Sequence, residues 1–138
     1  MMQYWLIKTE PGTYSWEDFV EKKKDVWNGV RNYAARIHLR AMQKGDLCLF
    51  YHSGDVSACV GIAKVVKTAY PDPTAEEGDW SAVDVQVVKK LKKEVSLKAI
   101  KQLPALADMP LVRISRLSVS PVTEFQFQTI LDMAETKL

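Results

Sequence analysis

The sequence is poor in the residues that build most catalytic and secreted frameworks: two cysteines, two histidines and six glycines in 138 residues. Cys48 and Cys59 fit no metal-ligand spacing and sit in apolar segments, so they read as buried free thiols in a reducing compartment. His38 and His52 lack flanking ligand patterns, and no metal or cofactor is expected. The scattered glycines form neither GxGxxG nor GxxxxGK[ST], which excludes the common phosphate-cradling loops, and no nucleophile elbow is present. No apolar run approaches the roughly 18 residues of a transmembrane helix. The opening "MMQYWLIKTEPG" lacks the basic start and long apolar core of a signal peptide. A cytosolic protein without a membrane partner is the expectation.

What is present is an ordinary globular composition, 47% apolar and 26% charged, with no repeat, linker or low-complexity stretch. One domain over residues 1–138 is expected, and a monomer. The net charge of +2 says little about partners. Its distribution says more: residues 22–44 hold seven Lys/Arg against Asp25 alone, residues 89–101 six Lys against Glu94, and residues 72–79 four acids and no base. Blocks of one sign give a field with direction, which orients a nucleic acid. The lysine run "KKLKK" by itself reads as solvated surface.

Strand density in "QYWLIKT" ends at the turn "EPG", and Ser15 caps a short helix over "SWEDFVEKK". Asn28-Gly29 is a tight-turn pair, and Asn32 caps a helix over about 33–43, stopped by Gly45. On that helix Ala35, Leu39 and Met42 form a core stripe, while Tyr33, Arg36 and Arg40 share another face. "DLCLFYHS" and "ACVGIAKVV" flank a hairpin turn at Ser53-Gly54-Asp55. A long acidic loop (70–80), a strand (82–88), a helix (96–103), an extended piece (116–122) and a helix capped by Thr123 follow. Strands mixed irregularly with short helices predict an α+β fold with a curled or barrel-like sheet.

Arg31 breaks a local rule, because helix N-termini favour acids and disfavour cations. It sits in "WNGVRNY", where Trp27 and Tyr33 offer stacking faces, Asn28 and Asn32 amides, and Arg31 a phosphate partner. The bland alternative makes Trp27 core and Arg31 half of a surface ion pair. Three weaker clusters join it at element edges: Lys8, Glu10 and Pro11 in "LIKTEP", His52 and Ser53 in "YHS", and Arg116 with Ser118 in "RLSVSP".

Together, "YWLIKTEPGTYSWEDF", "VWNGVRNYAARIHLRAMQKGDLCLFYHS", "VGIAKVVKTAYPDPT" and "LVRISRLSVSPVT" resemble the EVE domain, a PUA-like family related to ASCH and YTH domains. The resemblance runs from about Tyr4 into the last helix. It implies a PUA-like mixed β-barrel of about five to six strands surrounded by short helices, with a pocket for a modified nucleobase in DNA or RNA. It also points to a stand-alone bacterial type rather than the nuclear vertebrate type. Carried over by position, Lys8, Glu10, Pro11, Trp27, Arg31, Asn32, Tyr33, His52, Ser53, Arg116 and Ser118 are the implied ligand-binding residues. Lys22, Lys23, Lys24, Arg36 and Arg40 are the implied phosphate contacts. The resemblance implies that Tyr70 and Asp72 brace the acidic loop. Ala34, Ile37 and Ser120 depart from the family pattern, which bears on base preference.

Two functions follow. The first is a non-enzymatic nucleic-acid-binding module, with the arginines meeting the strand's phosphates and Trp27→Ala removing binding without unfolding the chain. The alternative is a small hydrolase of modified nucleosides or acylated amides, as in some ASCH relatives, with Lys8 and Glu10 in acid–base roles. An adaptor with a vestigial pocket is the third possibility.

Overall fold

β1 (Tyr4–Thr9) sets the architecture, because both of its faces are apolar. In the computed structural model, which describes residues 2–138, Trp5 and Ile7 enter one core and Leu6 the other. A strand buried on both sides reads as a continuous apolar run rather than an alternation. β1 pairs in parallel with β3 (Leu47–His52) and antiparallel with β6 (Val119–Val122). β4 (Ala58–Pro71) returns from β3, β5 (Ser81–Ser96) from β4, and the short β2 (Lys24–Trp27) pairs with β5. The order is β2-β5-β4-β3-β1-β6, a six-stranded mixed sheet.

α1 (Trp16–Lys22) and α2 (Tyr33–Ala41) cover the first core with Trp16, Phe19, Ala35 and Leu39. α3 (Leu97–Gln102), a 3-10 turn (Pro104–Leu106), α4 (Pro110–Arg113) and α5 (Glu124–Met133) cover the second with Ile100, Leu106, Leu111, Phe127 and Ile130. The fold is α+β, as expected. Among the described residues no helix is long and apolar enough to cross a membrane.

Several boundaries differ from the sequence reading for identifiable reasons. β2 was not expected, since "KDVW" is short and charged; pairing with β5 makes it a strand. α2 stops at Ala41 because Met42 turns extended, and Gly45, at φ 94°, carries the chain into β3. β4 and β5 run well beyond their predicted cores, and four register shifts between them bend the sheet. Arg116 lies in a turn, leaving only Val119–Val122 as strand.

The bending brings the two edges of the sheet together. Residues of β2, at one end of the strand order, share a cleft with Ser118, just before the opposite end strand β6, and with Lys8 on its neighbour β1. The barrel is therefore a rolled sheet with a seam, and α2 spans it, packing against β6 on one side and β5 on the other.

Asp46 anchors the opposite end of β1. Its buried carboxylate accepts from the Trp5 indole (2.9 Å) and from the backbone N–H groups of Gln3 (3.1 Å) and Gln43 (2.8 Å). Stranding such donors costs roughly 1–3 kcal/mol each, so Asp46→Ala is expected to lose about 3 kcal/mol. A urea midpoint within experimental error of wild type would refute that reading. Cys48 and Cys59 are buried and unpaired, and burial raises both thiols, Cys59 to about 12. Neither is poised for chemistry.

Candidate functional site

The seam cleft has a volume of about 440 Å³, within the range of small-ligand pockets. β2 supplies its wall. Alternation along Asp25, Val26 and Trp27 turns Asp25 and Trp27 to the face of their β5 partners Val85 and Val83, which are core residues. Trp27 is 8% exposed and packs edge-on against Phe50 (5.6 Å) and Tyr14 (6.3 Å). It is core and cleft wall at once. Removing it leaves a large cavity at a cost of roughly 3–5 kcal/mol, so a clean loss of binding with Trp27→Ala is not to be expected.

The turn after β2 answers the question posed by Arg31. Asn32 caps α2 through its side-chain oxygen, which accepts from Ala35 N–H at 2.9 Å. The Arg31 guanidinium turns back to the carboxylate of Asp72 at 2.9 Å and reaches Thr74 Oγ1 at 3.3 Å. Asp72 also accepts from the Gly29 N–H (2.8 Å), the Thr74 N–H (2.7 Å) and the Thr74 hydroxyl (2.6 Å). Burial alone would raise the Asp72 carboxyl. The hydrogen bonds from Thr74, Arg31 and Gly29 outweigh it and hold the group well below the ordinary carboxylate range.

The other arginines of α2 hold the same loop. Arg36 donates to the Asp79 carbonyl at 2.7 Å, and Arg40 meets the Asp79 carboxylate at 2.8 Å and Ser81 Oγ at 2.9 Å. Trp80 stacks on Tyr33 (5.2 Å), with Arg31 and Arg36 over its ring. The anion that offsets these cations is thus the chain's own acidic loop. Asp72 braces that loop, as the family resemblance implied, and Tyr70 does so by bonding Asp84.

The structure gathers Lys8, Trp27, Arg31 and Ser118 around the cleft. Lys8, however, commits its ammonium to the Ser115 carbonyl (2.9 Å) beside the Tyr51 ring, and burial lowers its pKa. Glu10 and Pro11 are exposed in the following turn, outside the cleft lining, so Lys8 and Glu10 form no acid–base pair there. Asn32 is the helix cap. Tyr33, 68% exposed, stands on an outer ledge with Trp80. His52 lies away from the lining because its Nε2 accepts from the Trp16 N–H at 2.9 Å, fastening β3 to α1. Ser53 bonds the Thr9 carbonyl, and Arg116 is exposed in its turn. Of the lysines, Lys22 reaches Asp25 at 3.6 Å, Lys23 is the C-cap of α1, and Lys24 is exposed on β2. Among the described residues no group of three or more His, Cys, Asp or Glu is placed to hold a metal.

Tyr14, Asp25, Thr9 and Thr13 line the cleft without having been singled out. The Tyr14 hydroxyl is buried, and burial, followed by the Asp25 carboxylate beside it, pushes its pKa up. The two-residue spacing of Asp25 and Trp27 was the available signal, and it becomes readable only once β2 is known to be a strand.

An EVE domain family model matches residues 3–133. Thymocyte nuclear protein 1 of Mus musculus is 37% identical, covering 99% of this chain and 76% of the relative. The crystal structure of protein Atu2648 from Agrobacterium tumefaciens is similar with a TM-score of 0.93 and 42% identity, covering 97% of this chain and 94% of that one. Human THYN1 protein, solved in complex with 5-methylcytosine-containing DNA, superposes with a TM-score of 0.88 at 34% identity, covering 99% of each chain. The α+β fold is accordingly of the PUA-like type.

Proposed function

The chain belongs to the EVE domain family, and on that premise we propose that it is a nucleic-acid-binding module whose seam cleft receives a modified base from a strand. The observation that carries the reading is the cleft itself, walled by Trp27 and lined by Tyr14, Asp25 and Arg31. The human relative's complex with 5-methylcytosine-containing DNA supports it and makes DNA with that base the first ligand to test. Extruding a base costs a few kcal/mol, and stacking returns roughly 1–3 kcal/mol per base. Lys22, Lys23 and Lys24, beside the β2 wall, are the cations assigned to flanking phosphates. Arg36 and Arg40 join them only where a strand displaces Asp79.

The test is a tryptophan-fluorescence titration with short oligonucleotides carrying cytosine, modified cytosines or modified adenines. Quenching selective for one modified base is expected, with affinity falling as salt rises. Trp27→Phe, which preserves most of the packing, is expected to weaken that selective binding several-fold while keeping the fold. A flat response to every strand would sink the reading.

A further inference from the structure

Asp25 occupies a position that packing alone does not explain. It faces inward on an edge strand, level with the core residue Val85 and next but one to Trp27. Ionisable groups at such positions are rare unless paired. Its one cation, Lys22, sits at 3.6 Å and is itself largely exposed, while Oδ1 accepts from the Val26 N–H at 2.8 Å. A carboxylate offers about four acceptor sites, so acceptor capacity remains in the cleft. Tyr14 lines the same cleft, its buried hydroxyl set against the Asp25 carboxylate.

An acceptor-only group in a cleft fits a ligand edge that carries an N–H donor. We propose that Asp25 is the specificity residue of the cleft, accepting the exocyclic amine of a cytosine-type base, with Tyr14 beside it positioning the carboxylate. The assignment rests on the base-binding function proposed above. Thymine shares the ring and methyl group of 5-methylcytosine. In the same pose it turns a carbonyl oxygen toward the carboxylate, so two acceptors meet with no proton between them.

The experiment measures binding of the full chain to three matched single-stranded oligonucleotides differing only in one central 5-methylcytosine, cytosine or thymine. Wild type is expected to prefer 5-methylcytosine over thymine by about tenfold or more. Asp25→Asn, whose amide supplies a donor where the carboxylate had none, is expected to erase or reverse that preference. Tyr14→Phe, which removes the hydroxyl beside Asp25, is expected to weaken 5-methylcytosine binding several-fold while keeping a cooperative melting transition. Melting curves of all variants keep folding separate from recognition. Equal wild-type affinity for 5-methylcytosine and thymine, or an undiminished preference in folded Asp25→Asn, overturns the role of Asp25 and leaves base binding standing. Absence of binding to any strand overturns the base-binding function and this assignment with it.

Discussion

Gly61→Ala is expected to lower stability by about 3–4 kcal/mol, by overpacking and partial loss of a tryptophan's burial. A Cβ at Gly61 would lie 2.3–2.5 Å from three carbons of the Trp16 ring, a distance that nonbonded carbons do not tolerate. The ring has nowhere to go. It is 2% exposed and held edge-on by Phe19 (5.7 Å) and Phe50 (5.2 Å), and its backbone N–H is held by His52. Gly61 is thus a matter of space, not of backbone conformation: it lets β4 pass directly beneath the first residue of α1. The measurement is urea denaturation, with a lower midpoint at an unchanged slope. Gly12→Ala serves as the control, because a Cβ there meets nothing within 4 Å and a surface change of this kind stays within about 0.5 kcal/mol. Equal midpoints for the two variants would refute the close-approach account.

Asp72→Ala is expected to cost roughly 2–4 kcal/mol, by stranding the donors it satisfies. The Gly29 and Thr74 amides carry most of that figure. Arg31 contributes less, because its side chain is 38% exposed and solvent screens the pair. The loss reaches the cleft, because Asn28, Gly29 and Arg31 form part of its wall and Asp72 holds two of the three. Strand binding should weaken with it, read in the same fluorescence titration.

The pH dependence has a definite sign. The folded carboxyl titrates below its ordinary value. Its contribution is therefore complete above an unfolded pKa of about 3.9 and drains away as pH falls toward the folded value. The stability gap between wild type and Asp72→Asn should accordingly be widest near neutrality and narrow steadily below about pH 4. A gap that stays constant down to pH 2 would show that the charge of Asp72 is not what stabilises the loop.

Much of the local structure is readable from residues a few positions apart. Ser15 and Asp18 form a reciprocal cap on α1, as Thr123 and Gln126 do on α5, and Ala35, Leu39 and Met42 are buried at their helical spacing. Each of these rests on contacts closed within one or two helical turns, which short windows of sequence encode. The family, too, was carried by contiguous motifs. β2 was not readable in this way, because neither the propensity nor the pattern of "KDVW" marks a strand, and its hydrogen bonds come from β5, far along the chain. With β2 unread, Asp25 could not be placed beside Trp27, and Tyr14 had no cleft to line.

The arginines of "GVRNYAARIHLR" divide along the same boundary. By itself the sequence determined that Arg31 precedes a capped helix and needs an anion, since the dipole of that helix is a local property. Which anion was decided only by tertiary structure: Asp72 lies 41 residues away from Arg31, and the bends in β4 and β5 bring its loop back to α2. Likewise the sequence determined that Trp27 is an aromatic able to stack. Rolling the sheet made it half of a seam, because a sheet edge acquires an opposite wall only when distant strands pair and twist until the two edges meet.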